Sequence, residues 1–374
     1  MLQRVLLTGL AMAAISVSYS QEIAADSAKI SAQATPTSPF KLSGSVDAYY
    51  RFNFNDPKTA PYNNLTSFTN SQNSFELGMA SIKAEHTMGK VGLVADLGFG
   101  RRAEEFSYND APGKNGFVSM ALVKQAFITY SPSEHVKLTA GKWATHVGYE
   151  LLDASANRNY SMSYMFTNGP FFHTGVRADF VFEKTGFMVG IANPTDYTTT
   201  TSSTKTLIAQ FSTGTKDDKL KGYLNYQGYF GQKASTPEAA SLNQLDLVLL
   251  GTISSKFSLG YNGTVQFVKD EVEKKTKRWL GSALYINYDP TSFLGLTWRN
   301  EFFSDQKYGL KINNGNTGSN IIESTLSANF KVDNFKFIPE FRLDNSSKKD
   351  IFFKSDGTST KRTFGFLMAV VYSF

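Results

Sequence analysis

Arg299 and Glu301, Arg177 and Asp179, and the triplet Glu340, Arg342 and Asp344 set opposite charges two residues apart. In an extended chain, residues two apart point the same way, so this spacing gathers both signs of charge on one face of a strand. Asp47, Arg51, Asp96, Arg102, Lys137 and Glu323 fall in segments with the same alternation. Lining a water-filled passage, such a row would orient and filter charged solutes; the plainer alternative is that its members pair with each other and with water. Chemistry of turnover is not indicated. The four histidines, His86, His135, His146 and His173, are spaced neither as a helical pair nor as a compact metal site. A Ser or Asp assisted by His146 or His173 stays open, but the order of residues selects no nucleophile. With no cysteine there is no thiolate metal site, no cysteine nucleophile and no lipoprotein anchor. No catalytic residue, cofactor site or metal site is expected.

The elements that must carry the charged row are strands. At 362–374, Phe364, Phe366, Met368, Val370, Tyr372 and Phe374 share one face, while the other face is small or mildly apolar. Paired to the first strand, such a segment removes an open edge, turns its apolar face to lipid and sets its aromatics in an interfacial girdle. At the other end, Leu42, Val46, Tyr50, Phe52 and Phe54 alternate with Lys41, Asp47 and Arg51. Further strands are read near 73–87, 91–102, 118–130, 135–144, 173–183, 186–194, 204–214, 218–230, 242–254, 257–268, 278–288, 293–304, 320–331 and 335–344. Between them, short Gly/Pro/Asn/Asp/Ser turns take turns with long polar loops, which puts turns on one side of a sheet and loops on the other. In 73–87 Phe75, Leu77 and Met79 share a face that Ile82 and Ala84 do not, so a bulge is expected near Ala80. Pro339 removes a ladder donor and argues against a regular strand at that point.

Composition fits this reading. Aromatics make up 14% of residues, yet mean hydropathy is only −0.26, as for a barrel greasy outside and wet inside. The net charge of +6 is spread along the chain, so no nucleic-acid stripe emerges. Residues 1–20, with Arg4 ahead of an apolar run and small residues Ser18 and Ser20, have the layout of a signal peptide. That run is shorter than the roughly 20 residues of a spanning helix. Residues 21–39 read as a flexible periplasmic leader and 40–374 as the barrel. The longest unpatterned connection, 145–172, is aromatic and polar. Folded inward, it would narrow the lumen with Glu150, Asp153, Asn157, Arg158, Tyr160, Ser161 and Ser163 as pore-constriction residues; laid over the outer surface, it would not.

Gly141-Lys142-Trp143 leading into Gly148-Tyr149-Glu150, then Tyr160-Ser161-Met162-Ser163, Pro170 and His173-Thr174-Gly175, form one set of motifs. Glu301-Phe302-Phe303-Ser304-Asp305, Pro339-Glu340-Phe341-Arg342-Leu343-Asp344 and the end Val371-Tyr372-Ser373-Phe374 follow. In this order, over 40–374, the chain resembles the OmpL-like β-barrel porins common in Bacteroidota. The family more usually has Phe where this chain has Trp143, a change that leaves Trp143 a girdle aromatic. The resemblance implies an outer-membrane porin and supplies neither catalytic residues nor a solute.

The expected fold is all-β, a transmembrane antiparallel barrel of about 16 strands with short periplasmic turns and long extracellular loops. The expected function is passive diffusion of small hydrophilic solutes or ions across the outer membrane of a Gram-negative bacterium. The rivals are a plugged barrel serving adhesion or structure, and an outer-membrane hydrolase. Expected partners are outer-membrane lipid and the barrel-assembly machinery, reached through the strand ending at Phe374. A homo-oligomer is left open, and nucleic acid is not expected.

Overall fold

In a computed structural model describing residues 40–110, 118–231, 241–270, 275–307 and 318–374, period-two segments become strands throughout. The signal peptide and leader expected over 1–39 lie outside the described residues. The strands are β1 (Lys41–Asn53), β2 (Ser74–Met88), β3 (Val91–Phe99), β4 (Val123–Ser133), β5 (Val136–Ala144), β6 (Phe172–Phe182), β7 (Thr185–Ala192) and β8 (Lys205–Gly214). They continue as β9 (Leu220–Phe230), β10 (Ser241–Thr252), β11 (Phe257–Asp270), β12 (Lys275–Tyr288), β13 (Leu294–Lys307), β14 (Asn320–Val332) and β15 (Phe335–Ser346). A small hairpin of β16 (Phe352–Phe353) and β17 (Ser359–Thr360) precedes β18 (Arg362–Ser373).

All but β16 and β17 form one closed antiparallel barrel of 16 strands in chain order, with β18 seated between β15 and β1. Val46 faces Tyr372 and Phe52 faces Phe366 across the seam. Phe374 and Gly44 exchange N–H···O bonds, both 3.0 Å long. Closure leaves no strand edge unpaired, which is the condition for a sheet in lipid. Large apolar side chains such as Leu93, Val176, Leu245, Leu326 and Val370 stand exposed on the outward row of β3, β6, β10, β14 and β18, as a lipid-facing band requires. At the short-turn side, Gly89 (φ 59), Glu183 (φ 51) and Asp333 (φ 49) take the left-handed conformation that reverses a chain within a few residues.

Five local expectations change. The register of β1 on β2 shifts between Asp47 and Ala48, which face Met79 and Leu77. The extra residue is therefore Gly78, and Met79 turns fully inward instead of sharing a face with Phe75 and Leu77. A strand over 91–102 ends at Phe99, because Gly100 (φ 108) diverts the chain into α1 (Arg101–Phe106). Ala103 and Phe106, three residues apart, bury one face of that helix. Similarly, 118–121 is a helical turn, α2 (Val118–Ala121), and not the start of a strand. Trp143 is no girdle residue: it is 1% exposed, inside the barrel. Trp143 falls in the inward row of Thr139, and Gly141, at φ 135, breaks the alternation of β5 so that Lys142 points inward as well. At Pro339 there is no bulge; β14 and β15 pair at Ser327 with Glu340 and resume at Phe330 with Phe337 in the same register.

The inside is not uniformly polar. Tyr149, Tyr164, Met165, Trp279, Tyr285 and Phe303 form one buried cluster, and Phe68, Phe106, Met162, Phe171 and Phe172 form another. Both include residues of the 145–171 connection, whose side chains need apolar neighbours to stay ordered. Each large side chain removed from water contributes about 1.5–3 kcal/mol.

Candidate functional site: the segment across the barrel interior

A connection without ladder partners must pair its backbone N–H and C=O groups elsewhere when it is buried. Residues 145–171 do so with charged side chains of the barrel wall. Glu301 on β13 accepts from the N–H groups of Tyr164 (2.7 Å) and Met165 (2.8 Å), the start of α3 (Tyr164–Asn168). Ser163 caps that helix by accepting from Phe166 N–H at 3.0 Å. Its own N–H donates to Glu150 at 2.8 Å. Glu340 on β15 accepts from the N–H groups of Tyr160 (2.8 Å) and Ser161 (3.2 Å).

Cations take the carbonyls. Arg299 donates to Ser161 O (2.7 Å) and to Glu150 (2.5 Å), and is also paired with Glu323 at 3.0 Å. Arg342 donates to Met162 O at 2.7 Å while paired with Asp344 at 3.0 Å. Arg102, from α1, reaches Leu152 O (3.0 Å) and Tyr160 O (3.2 Å), its guanidinium 4.8 Å from the Tyr160 ring centroid. Lys336 donates to Ser155 O at 2.9 Å. These are charge-assisted bonds, each stronger than a neutral pair. The alternating wall charges therefore solvate the backbone of this segment as well as one another.

The named candidates divide accordingly. Glu150, Asn157, Tyr160, Ser161 and Ser163 are buried; Asn157 closes its own turn by accepting from Leu151 N–H at 3.0 Å. Tyr160 donates its hydroxyl to Asp47, and the Tyr49 ring lies 5.4 Å from its own. Asp153 and Arg158 keep partly open side chains, paired with Lys124 (2.7 Å) and Asp289 (2.8 Å). Of the wall row, Asp47, Arg51, Asp96, Arg102, Asp179, Arg299, Glu301, Glu323, Glu340 and Asp344 are buried. Arg51 donates to Ser71 O and Tyr62 O, Asp96 pairs with Lys124 at 3.0 Å, and Arg177 with Asp179 at 3.2 Å. Lys137 lies on β5 opposite Asp179. Sequence reasoning did not single out Lys124, Asp289 or Lys336. Only Lys336 carried a signal, since it shares the alternate row of Glu340 and Arg342.

Two histidines meet here. The His146 and His173 rings lie 5.2 Å apart, with His146 Nε2 against Tyr226 O and His173 Nε2 against the Thr145 hydroxyl. Burial pushes His146 down to about 4. Asp196, in the connection after β7, accepts from the N–H groups of Phe171 (2.7 Å) and Phe172 (3.0 Å) and is pushed up to about 7 by burial.

Two cavities adjoin the segment. At the short-turn mouth a cavity of about 630 Å³ lies among Lys83, Glu85, Lys124, Asp153, Lys331 and Lys336. A second, of about 20 Å³ and so with room for little more than one water, lies beyond Ser161 among Arg51, Thr69, Glu340, Arg342 and Thr363. Both run along the inner faces of β1, β18 and β15, and Tyr49, Tyr160, Ile338 and Ala369 pack together between them.

Solved structures share this architecture. The outer membrane channel DcaP of Acinetobacter baumannii superposes with a TM-score of 0.60 at 13% identity, covering 91% of this chain and 98% of that one. An anion-selective porin from Comamonas acidovorans gives 0.59 at 10% identity over 90% and 100%. The trimer form of OmpT from Vibrio cholerae gives 0.58 at 12% identity over 91% and 100%. No curated protein matches the sequence. The model of the family described as "Putative beta-barrel porin-2, OmpL-like" matches residues 39–374, so this chain, a closed β-barrel of the Gram-negative outer membrane, belongs to that porin family.

Proposed function

We propose that the protein lets small hydrophilic solutes or ions diffuse passively through its barrel, with 145–172 narrowing the lumen and no substrate turned over. The observation that carries this reading is the pairing of that segment's backbone with Glu301, Glu340, Arg299 and Arg342, on strands that form one side of the barrel. The solute path favoured by the cavities follows β1, β18 and β15 past Tyr160, with Asp153 and Arg158 the partly open charges of the segment. Against hydrolysis, the hydroxyl within reach of the His146–His173 pair is that of Thr145, and no carboxylate orients either ring among the described residues.

The test is planar-bilayer conductance of the refolded 21–374 chain in a salt gradient, with a variant lacking 154–168. Stepwise channels that enlarge in the deletion variant support the reading. A folded barrel that conducts nothing, yet conducts after the deletion, favours a plugged adhesion or structural barrel instead. The close packing between the two cavities is what makes that second reading worth testing. Assembly through the strand ending at Phe374, by the barrel-assembly machinery, belongs to the same proposal.

A further inference from the structure

One corner of the cavity at the short-turn mouth holds more cations than the carboxylates beside them can pair. Lys331, near the end of β14, and Lys336, at the start of β15, both belong to inward rows and face each other directly across the ladder. Like charges in that position repel. Arg158 is the third cation here. It donates to both oxygens of Asp289, at 2.8 and 3.1 Å, and so occupies the carboxylate that Lys331 reaches only at 3.7 Å. Lys336 has no carboxylate partner among the described residues. Its ammonium donates to Ser155 O at 2.9 Å and Asn157 O at 3.3 Å, and the charged groups that bear on it are Lys331 and Arg158, both positive. Around the rest of the cavity three lysines meet three carboxylates. Glu85 pairs with Lys83 (2.8 Å) and Lys41 (3.6 Å), and Lys124 with Asp96 (3.0 Å) and Asp153 (2.7 Å), while Asp333 is exposed on the turn.

A charge drawn out of water is costly unless a group of opposite sign stands beside it. Lys336 is only partly exposed, and the chain surrounds it with two cations and two carbonyls but no anion. We propose that this corner is an anion subsite, in which Lys336 and Lys331 together hold a small carboxylate- or phosphate-bearing solute at the short-turn mouth. The cavity, about 630 Å³ in volume, has room for such a solute with its water. Two of the three N–H groups of Lys336 go to the segment's carbonyls, which aim the ammonium and leave the third donor for the anion. Arg158, bonded to Asp289 and to Thr297 at 2.7 Å, pins the segment against β13 and so keeps those carbonyls in place. Ammonium groups act as point charges on flexible stems, so the subsite selects by charge and size and not by planar shape. The inference names a solute class for the proposed diffusion path and rests on that reading for its role in transport; binding itself requires no conduction.

The probe is inorganic phosphate, titrated calorimetrically into the folded full chain in detergent at low ionic strength, where screening is weak. Wild type is expected to bind it saturably, and Lys336→Gln to bind it roughly tenfold more weakly or worse. Lys336→Arg keeps the charge and is expected to keep the binding. Lys83→Gln, at the same mouth but already paired with Glu85, is expected to leave it unchanged. Phosphate should raise the thermal midpoint of wild type and not that of Lys336→Gln. If Lys336→Gln lacks the heat-dependent gel mobility of a folded barrel, Lys331→Gln carries the same expectation, because it leaves the bonds of Lys336 to the segment in place. In a bilayer salt gradient, loss of either lysine is expected to shift the reversal potential toward cations. Wild type that binds no phosphate, or binds it equally after loss of either lysine, overturns the proposal, as does a conducting channel whose reversal potential ignores both substitutions. Phosphate binding that needs Lys336 in a barrel that does not conduct supports the subsite and counts against the diffusion reading instead.

Discussion

Replacing Glu301 by Ala tests whether wall charges hold the segment across the lumen. The carboxylate accepts two backbone N–H groups, from Tyr164 and Met165, and Glu301 is 1% exposed. A buried donor left without its acceptor costs about 1–3 kcal/mol, so the variant loses about 2–6 kcal/mol of docking at the start of α3. At tenfold per 1.4 kcal/mol, the docked-to-undocked ratio falls by roughly 30- to 20,000-fold. Adding Glu340→Ala strips the acceptor from Tyr160 and Ser161 as well. Single-channel recording is the assay: frequent visits to a larger conductance level are expected from Glu301→Ala, and a persistent larger level from the double variant. Glu323→Ala controls for the charge, because Glu323 is paired with Arg299 and touches no backbone N–H of the segment. Identical conductance shifts from Glu301→Ala and Glu323→Ala, or no shift in folded barrels, would refute the docking argument.

Other outcomes follow from the same geometry. His146 is held at about 4 against an ordinary 6.5, so the docked state prefers the neutral ring. Its contribution is complete above about pH 6.5 and is lost as pH falls through 4; acid is therefore expected to loosen 145–171, and His146→Gln to flatten the pH dependence of conductance over that window. Asp196 works in the opposite sense. Held at about 7 against 3.8, it stabilises below the lower value and loses that contribution as pH rises through 7, so the thermal midpoint of wild type relative to Asp196→Asn should fall between those limits. A Cβ at position 78 would collide with Asp47 Oδ1 and the Tyr160 hydroxyl; Gly78→Ala is expected to lose the Tyr160–Asp47 bond and about 1–3 kcal/mol, read by thermal denaturation. Leu326→Lys, on the lipid face of β14, should cost about 2–4 kcal/mol in refolding titrations.

Strand positions were legible because lipid on one side and polar groups on the other impose a period of two that no packing detail overrides. Where one glycine interrupts that period, the pattern misleads: Gly78 moved Met79 inside, Gly141 turned Lys142 inside, and Gly100 replaced a strand end by α1. The charged row was visible, but its partners were not. Arg299 meets Ser161 and Glu150 because of shear and tilt around the circumference, quantities that no local spacing encodes. Outward polar residues could be read from the alternation alone.

The seam between β1 and β18 sets the order of assembly. Asn53 and Thr363, whose side chains bond across it, are 310 positions apart. While every other strand finds its neighbour within one hairpin or loop, β1 has to wait for the last strand to emerge. Two greasy edges thus stay open through nearly the whole of insertion, each a template for the wrong chain. Closure is a single late event of very long loop length, slow by its entropy and all-or-none in effect. Changes at Gly44, Val46 or Tyr372 will therefore act first on the yield of sealed barrels and only afterwards on the stability of those that have sealed.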